Sequence, residues 1–323
     1  MPRRRSTSCS VTSRLGMLTR VLPLTALALA LLFGCGDGSG PSDGAELHGE
    51  SGPADLSAAA ESPQEKVPPL VPGSVAWTPD LAHAALKRLN PGYNGRALFQ
   101  FEGDQITGAQ LTDTGVTDLT PLQGMMLRGL DLRGTAVTDI GPLRGLPLTE
   151  LYLEGTAVSD LGPLRDTKLR SLYLSGTPVE DLSPLRGLPL TELNLLGTNV
   201  EDLTPLRGLP LEFLWLNETP VSDISALTHC PLVSLTLHRT LVTDLMPLIG
   251  TDLQRLHVGE TRVTDLTPVT TLKLTRLIFT PSSIERGIED VRRMTTIQEI
   301  GPTFENKMVP ARFWALYDQG AFD

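Results

Sequence analysis

A valine recurs every 21 residues through the centre of this 323-residue chain without a single slip. An aspartate follows each valine by two residues. The eight valines are Val116, Val137, Val158, Val179, Val200, Val221, Val242 and Val263. A period held over eight copies is typical of a solenoid, in which each unit packs only on its neighbours. We therefore expect function on an extended surface and not in a deep pocket.

Each unit also carries two leucines that are two residues apart, such as Leu151 and Leu153. Alternate side chains of a strand point to opposite faces, so this spacing predicts a short strand with both leucines in the core. The glycine and threonine that follow are suited to a sharp turn. Asp160 is placed to accept backbone N–H bonds at the start of a short turn of helix. Only about ten residues remain before the next strand, which favours a 3-10 or irregular return segment.

The complete unit, L-x-x-L-x-L-x-G-T-x-V-x-D-L-x-P-L, runs in one copy from Leu148 to Leu164. It resembles the short leucine-rich repeat of internalin-like and related bacterial proteins. This resemblance implies an α/β solenoid with short parallel strands on a concave face, 3-10 or irregular return segments and helical caps. Residues 85–93 and the pair Phe313-Trp314 resemble the caps of repeat arrays that some bacteria fuse to serine/threonine kinases, although the sequence contains no kinase motif.

The sequence pattern predicts five segments. They are a signal peptide at 1–34, a disordered tether at 35–74, an N-terminal cap at 75–105, leucine-rich repeats of 21 residues at 106–283, and a C-terminal cap at 284–323. The signal peptide is indicated by five arginines and an apolar run from Val21 to Phe33, which is too short to cross a membrane as a helix. The tether is rich in Gly, Ser, Pro, Ala and acids and has no apolar periodicity.

The end of the apolar run, Leu32-Phe33-Gly34-Cys35, resembles a lipoprotein signal-peptidase site. The resemblance implies that Cys35 is acylated, becomes the first residue of the mature chain and anchors it in the cell envelope. An ordinary signal peptide cleaved nearby, which would release a secreted protein, is the alternative.

Charge and motifs exclude several classes of function. Removal of residues 1–34 would leave 22 basic and 37 acidic side chains, a formal net charge of −15, so nucleic acid is not an expected partner. His238 and His257 are out of register by two residues, and no third ligand accompanies them, so neither a metal nor another cofactor is expected. The sequence contains no recognisable catalytic motif, and we expect no enzyme activity.

The candidate binding site follows from where the aromatic side chains fall. Within the repeats, all aromatic residues except Phe279 occupy strand positions that point away from the leucine core, where we expect them to be exposed. The predicted ligand-binding stripe on the concave face consists of Tyr152, Tyr173, Asn194, Phe213, Trp215, Asn217, Thr236, His238 and His257. Its expected ligand is a protein or peptide. An envelope glycan, or a structural spacer without a ligand, is the alternative.

Overall fold

The computed structural model describes residues 76–322. The predicted signal peptide at 1–34, the predicted tether at 35–74 and Cys35 lie outside the described residues.

Within that range, eleven strands lie side by side in chain order in one sheet. They are β1 (Leu98–Glu102), β2 (Gln105–Gln110), β3 (Gly129–Asp131), β4 (Glu150–Tyr152), β5 (Ser171–Tyr173), β6 (Glu192–Asn194), β7 (Phe213–Trp215), β8 (Ser234–Thr236), β9 (Arg255–Val258), β10 (Arg276–Phe279) and β11 (Glu299–Gly301). The first pair, β1 and β2, is antiparallel, and all later pairs are parallel. The predicted leucine-rich-repeat solenoid is confirmed.

The period of the sequence sets the register of the strands. Leu151 of β4 pairs with Leu130 on one side and Leu172 on the other, and the same 21-residue offset holds from β2 to β10. These leucines are buried together with the partner leucine two residues later, such as Leu153. Because every strand buries the same two columns, a slip of one residue would turn the leucines outward.

Single 3-10 turns connect the strands on the return side of the solenoid, as predicted. They span Thr120–Leu122, Gly141–Leu143, Gly162–Leu164, Ser183–Leu185, Thr204–Leu206, Ser225–His229, Met246–Leu248 and Thr267–Thr271. The recurrent aspartate holds the start of each turn. Asp160, for example, accepts a hydrogen bond from the backbone N–H of Gly162 at 2.7 Å, and the other seven repeats have the equivalent bond. This confirms the predicted capping role of the aspartate column.

The recurrent threonine closes the turn that follows each strand. The hydroxyl of Thr156 donates to the carbonyl of Leu153 at 2.7 Å, and the equivalent bond is present in the other repeats. This carbonyl sits where the chain leaves the core, so the threonine satisfies a backbone group that would otherwise cost free energy to bury.

The N-terminal cap is fixed to the first repeat through one buried asparagine. Helix α1 (Pro79–Leu89) starts after Thr78, whose side chain caps it by accepting a hydrogen bond from the backbone N–H of Leu81. Asn90 ends the helix, and its side-chain oxygen accepts from the backbone N–H groups of Thr117 and Asp118, both at 2.8 Å. Its side-chain amide donates to two backbone carbonyls. Three of these four hydrogen bonds join the cap to Thr117 and Asp118 of the first repeat, and the fourth, to the carbonyl of Leu86, closes the end of α1 itself.

The C-terminal cap covers the last repeat with a short helix α2 (Ile288–Arg292), strand β11 and helix α3 (Pro310–Tyr317). Ile284 precedes α2 and ends a separate 3-10 turn. Phe313 is fully buried, and its ring centroid lies 5.7 Å from that of Phe279 in the last repeat. Phe313 and its neighbour Trp314 are therefore packing residues of the cap, as predicted.

Candidate functional site

The central row of the concave face contains six of the predicted site residues in register. Strand pairing aligns Tyr152, Tyr173, Asn194, Trp215, Thr236 and His257 on consecutive strands. Asp131 precedes this row and Ile278 follows it. Neither residue was among the predicted site residues, although both lie at the same 21-residue offset.

Two further rows flank the central one. The first consists of Glu150, Ser171, Glu192, Phe213, Ser234, Arg255 and Arg276. The other consists of Arg133, Glu154, Ser175, Leu196, Asn217, His238 and Gly259, and inter-strand hydrogen bonds hold it in line. Phe213, Asn217 and His238 thus flank the central row, as expected. The charged residues in these rows were not among the predicted site residues.

Four aromatic rings form one continuous row on this face. The centroids of Tyr152 and Tyr173 are 4.9 Å apart with near-parallel planes. Trp215 follows at 6.2 Å from Tyr173, and Phe213 lies 6.2 Å from Trp215. An arginine closes each end, since Arg133 lies over Tyr152 and Arg255 lies over Phe213, both at 5.6 Å. The faces of the rings are therefore turned mainly to one another and to the arginines.

The aromatic residues of the stripe are less exposed than expected, since Tyr152 is buried and Tyr173, Phe213 and Trp215 are only half-buried. Tyr152 is only 2% exposed, and Asn194 is only 8% exposed. Tyr152 is covered because Tyr173 stacks on one side and Arg133 lies on the other. The remaining aromatic residues of the stripe are half-buried. A position that points away from the core is thus not necessarily accessible when long side chains stand on the neighbouring strands.

Three glutamates surround the tyrosine end of the row. The hydroxyl of Tyr173 donates to Glu192 at 2.6 Å, and that of Tyr152 donates weakly to Glu150 at 3.4 Å. Burial raises the pKa of Glu154 to about 7, although the nearby Arg133 acts in the opposite direction. Burial is also the main cause that raises the pKa of both tyrosines. Both hydroxyls consequently stay protonated near neutral pH and serve as hydrogen-bond donors.

The two histidines at the other end are closer together than their offset along the strands suggests. Their ring centroids are 4.9 Å apart, and Nδ1 of His238 lies 3.1 Å from the carbonyl of Gly259. Burial, followed by the neighbouring His238, lowers the pKa of His257 to about 4, so its ring is neutral near pH 7. Among residues 76–322, no group of three or more potential metal-ligating side chains is arranged to hold an ion.

Four buried polar atoms on the concave face have no hydrogen-bond partner within the described part of the chain. They are Oε2 of Glu154, Oδ1 of Asn217, Oγ1 of Thr236 and Nε2 of His257. Buried polar groups are normally satisfied, because leaving one unpaired costs about 1–3 kcal/mol. All four lie in the central or flanking rows, and three of them belong to predicted site residues.

Solved structures share the fold of this chain. An internalin from Listeria monocytogenes superimposes with a TM-score of 0.52 at 25% sequence identity, over 68% of this chain and 74% of the other. The chain has an internalin-like leucine-rich-repeat fold. Internalin C2 of the same organism gives a TM-score of 0.51 at 25% identity, over 62% of this chain and 92% of that one. No protein-family profile and no curated protein sequence matches this chain.

The residue after each repeat strand adopts a left-handed backbone conformation, and its identity changes along the array. Glycine occupies this position in four repeats, whereas Glu218, Arg239 and Glu260 occupy it in three later ones, all with φ between 54° and 58°. Arg239 forms ion pairs with Glu218 at 3.3 Å and with Glu260 at 2.8 Å. The substitution of glycine thus coincides with a ladder of charges within the chain, and it does not by itself indicate a partner.

None of the helices among residues 76–322 is long and apolar enough to cross a membrane.

Proposed function

We propose that this chain is a protein- or peptide-binding module of the bacterial cell envelope. Leucine-rich-repeat solenoids offer extended concave surfaces suited to binding, and folds of the internalin type are typically binding modules without catalytic activity. The partner would contact the nine-residue stripe centred on Trp215, from Tyr152 to His257.

The observation that supports this proposal best is the group of unpartnered polar atoms on the concave face. Asn217, Thr236 and His257 hold theirs beside the half-buried Trp215. These atoms are buried, so a partner would reach them only if neighbouring side chains move aside on binding, and its backbone or polar side chains would then supply the missing hydrogen bonds. Aromatic side chains at the centre of such a patch are the usual main contributors to binding free energy. Both features are therefore expected of a surface that binds a protein.

The two alternatives fit the geometry less well. Sugar rings stack on free aromatic faces, but the faces in this row are occupied by neighbouring rings, Arg133 or Arg255. A spacer without a ligand would gain nothing from unpartnered Thr236 and His257 side chains, because apolar residues there would be more stable.

Site-specific crosslinking tests the proposal. A photoreactive phenylalanine analogue in place of Trp215 should capture a defined protein from an extract of the native envelope. The control places the same analogue at Arg207, which is exposed on the return side. Capture of the same protein at both positions, or at neither, would contradict binding on the concave face.

We further propose that Cys35 carries the lipid anchor and that residues 1–34 are removed. The support is the arginine-rich start, the short apolar run and the Leu-Phe-Gly-Cys stretch in the sequence. Metabolic labelling with a fatty acid should mark the wild-type protein and not the Cys35→Ser variant. Equal labelling of both would instead favour an ordinary signal peptide and a secreted protein.

A further inference from the structure

Arg255 is an arginine of the concave face that has no carboxylate partner. It occupies a flanking row on β9 and is half-buried. Two other arginines on this face are each bonded to an acid of the same chain. Arg133 is held by Asp131 through hydrogen bonds of 2.6–3.1 Å, and Arg276 has an equivalent partner in Glu299. Within the described residues, Arg255 forms neither an ion pair nor a side-chain hydrogen bond, so its N–H donors remain available.

The ring of Phe213 positions the guanidinium of Arg255. The two residues lie in the same row on β7 and β9, and the guanidinium carbon is 5.6 Å from the ring centroid. Ser234 on the strand between them is short enough to let them approach each other. A guanidinium that rests on an aromatic face keeps the donors at its edge free, and two of these donors match the oxygens of one carboxylate. The arginine is thus oriented before any ligand binds.

Three further polar side chains stand beside Arg255 on the same two strands. Ser234 and Thr236 belong to β8, and His257 follows Arg255 on β9. Together they mark the corners of a rectangle, about 4.8 Å across the strands and about 6.8 Å along them. Ser234 is half-buried, and its hydroxyl forms no hydrogen bond within the described part of the chain. Oγ1 of Thr236 and Nε2 of His257 are two of the four buried polar atoms without a partner.

Two acids of the chain act on His257 but leave Arg255 unpaired. Burial is the main cause that lowers the pKa of His257, and the charges of Glu305 and Glu260 act in the opposite direction. Glu260 is itself bonded to Arg239 at 2.8 Å. Neither acid forms an ion pair with Arg255 among the described residues. The chain therefore does not supply the carboxylate that its other concave-face arginines have.

We propose that Arg255 binds the carboxylate of an aspartate or glutamate side chain on the partner protein, with Ser234 as a second donor. The proposal rests on the proposed function and specifies the chemistry that the partner presents at β8 and β9. The carboxylate takes the place that an internal acid takes on the other two arginines. Thr236 and His257 add hydrogen bonds where the partner moves neighbouring side chains aside. The three glutamates at the tyrosine end repel the same group, so charge determines where along the face it binds.

Labelled hexaglutamate and hexaglutamine peptides test the site on the full-length chain by fluorescence anisotropy. At about 0.15 M salt, charges farther away than about 8 Å are largely screened. The wild type should bind hexaglutamate about tenfold more tightly than hexaglutamine. Because the chain has a formal net charge of −10, diffuse attraction does not explain binding of an acidic peptide. Arg255→Gln should remove the preference, and equal binding of the two peptides by the wild type would overturn the proposal.

A second variant, Ser234→Asp, keeps Arg255 and supplies an acid from the paired position on β8. It should occupy the guanidinium and likewise abolish the preference for hexaglutamate. The matched control is Arg207→Gln, which removes one positive charge at an exposed position on the return side and should change the affinity by less than about twofold. Equal losses in the two glutamine variants, or full binding by Ser234→Asp, would contradict a site at Arg255. Crosslinking through position 215 does not depend on these peptides, so the proposed function can stand if this site fails.

Discussion

Tyr173 and Trp215 lie on strands that are two apart in the sheet, yet their ring centroids are only 6.2 Å apart. The strands themselves are separated by about 9.6 Å, so the rings lean toward each other. Asn194 on the strand between them is 8% exposed, because the two rings cover it. The aromatic row is thus a packed structure as well as a candidate binding surface.

Substitutions at two positions of the aromatic row should have different effects, one mainly on stability and the other mainly on binding. Tyr152→Ala should lower the free energy of unfolding by about 3 kcal/mol, because it removes a buried ring that stacks on Tyr173. Trp215→Ala should lower it by only about 1–2 kcal/mol, because Trp215 is half-buried, while abolishing capture of the partner. Urea denaturation and pull-down of both variants provide the measurement. A Trp215→Ala variant that unfolds as easily as Tyr152→Ala would mean that the whole row is structural.

Thr236→Val should make the protein more stable and less functional. The change keeps the shape of the side chain and removes a buried hydroxyl without a partner, so the free energy of unfolding should rise by about 0.5–1 kcal/mol. Capture of the partner should weaken, because the hydroxyl would otherwise gain a hydrogen bond on binding. Thermal melting and crosslinking test the two effects. A loss of stability would indicate that the hydroxyl is satisfied in the folded protein.

Deletion of a whole unit should be tolerated better than one charge in the core. Removal of residues 180–200 joins Val179 to Glu201 and preserves the local sequence Val-Glu-Asp. Every remaining contact between neighbouring units keeps its type. Leu193→Asp instead buries an unpaired carboxylate among the leucines, at a cost of several kcal/mol. Thermal melts that rank the two in the opposite order would contradict the inward assignment of the leucine pairs.

Arg239 combines an unfavourable backbone conformation with two ion pairs. Arg239→Ala should be less stable than Arg239→Gly by about 1 kcal/mol, since both lose the ion pairs and only glycine relieves the left-handed φ of 56°. Melting temperatures at low and high salt give the comparison. The gap between the two variants should be independent of salt, whereas a gap that closes at high salt would point to an electrostatic origin.

Glu154 should make stability depend on pH with a defined sign. Its pKa is raised to about 7 in the folded protein, mainly by burial, so between pH 4.5 and 7 the folded state holds a proton that the unfolded state has lost. The free energy of unfolding therefore falls as pH rises through that window. Glu154→Gln should remove this loss and gain stability relative to wild type, by up to about 3 kcal/mol at pH 8.

The measurement is the difference in unfolding free energy between Glu154→Gln and wild type at pH 4 and pH 8. The difference isolates Glu154 from His257, whose lowered pKa has the opposite effect, a loss of stability as pH falls from 6.5 to about 4. A difference that does not change with pH would show that Glu154 is ionised normally in the folded state.

The repeat period predicted most of the fold because every strand obeys the same constraint. Once Leu151 and Leu153 are placed inward, the 21-residue offset fixes the register of the neighbouring strands and the rows on the concave face. The caps were also predictable, since Thr78 and Pro310 mark helix starts in the usual way.

Accessibility could not be predicted in the same way. Tyr152 and Trp215 are equivalent in the repeat, but Tyr173 stacks closely only on Tyr152, and Arg133 lies over the same ring. Burial here depends on side chains that lean across neighbouring strands, and a one-dimensional pattern does not contain that information. The three glutamates near Tyr173 were missed because each looked like an ordinary surface residue until the register brought them together.

The antiparallel strand β1 and the cap around β11 set the length of the surface on which we propose that a partner binds. The antiparallel strand β1 covers one end of the parallel strands, and the C-terminal cap covers the other. The ten parallel strands therefore span a fixed distance of roughly 43 Å at about 4.8 Å per strand. An extended peptide laid across it would fit about 13 residues. A longer peptide would extend beyond the parallel strands. Insertion or loss of one repeat would change the length of peptide that fits by one to two residues.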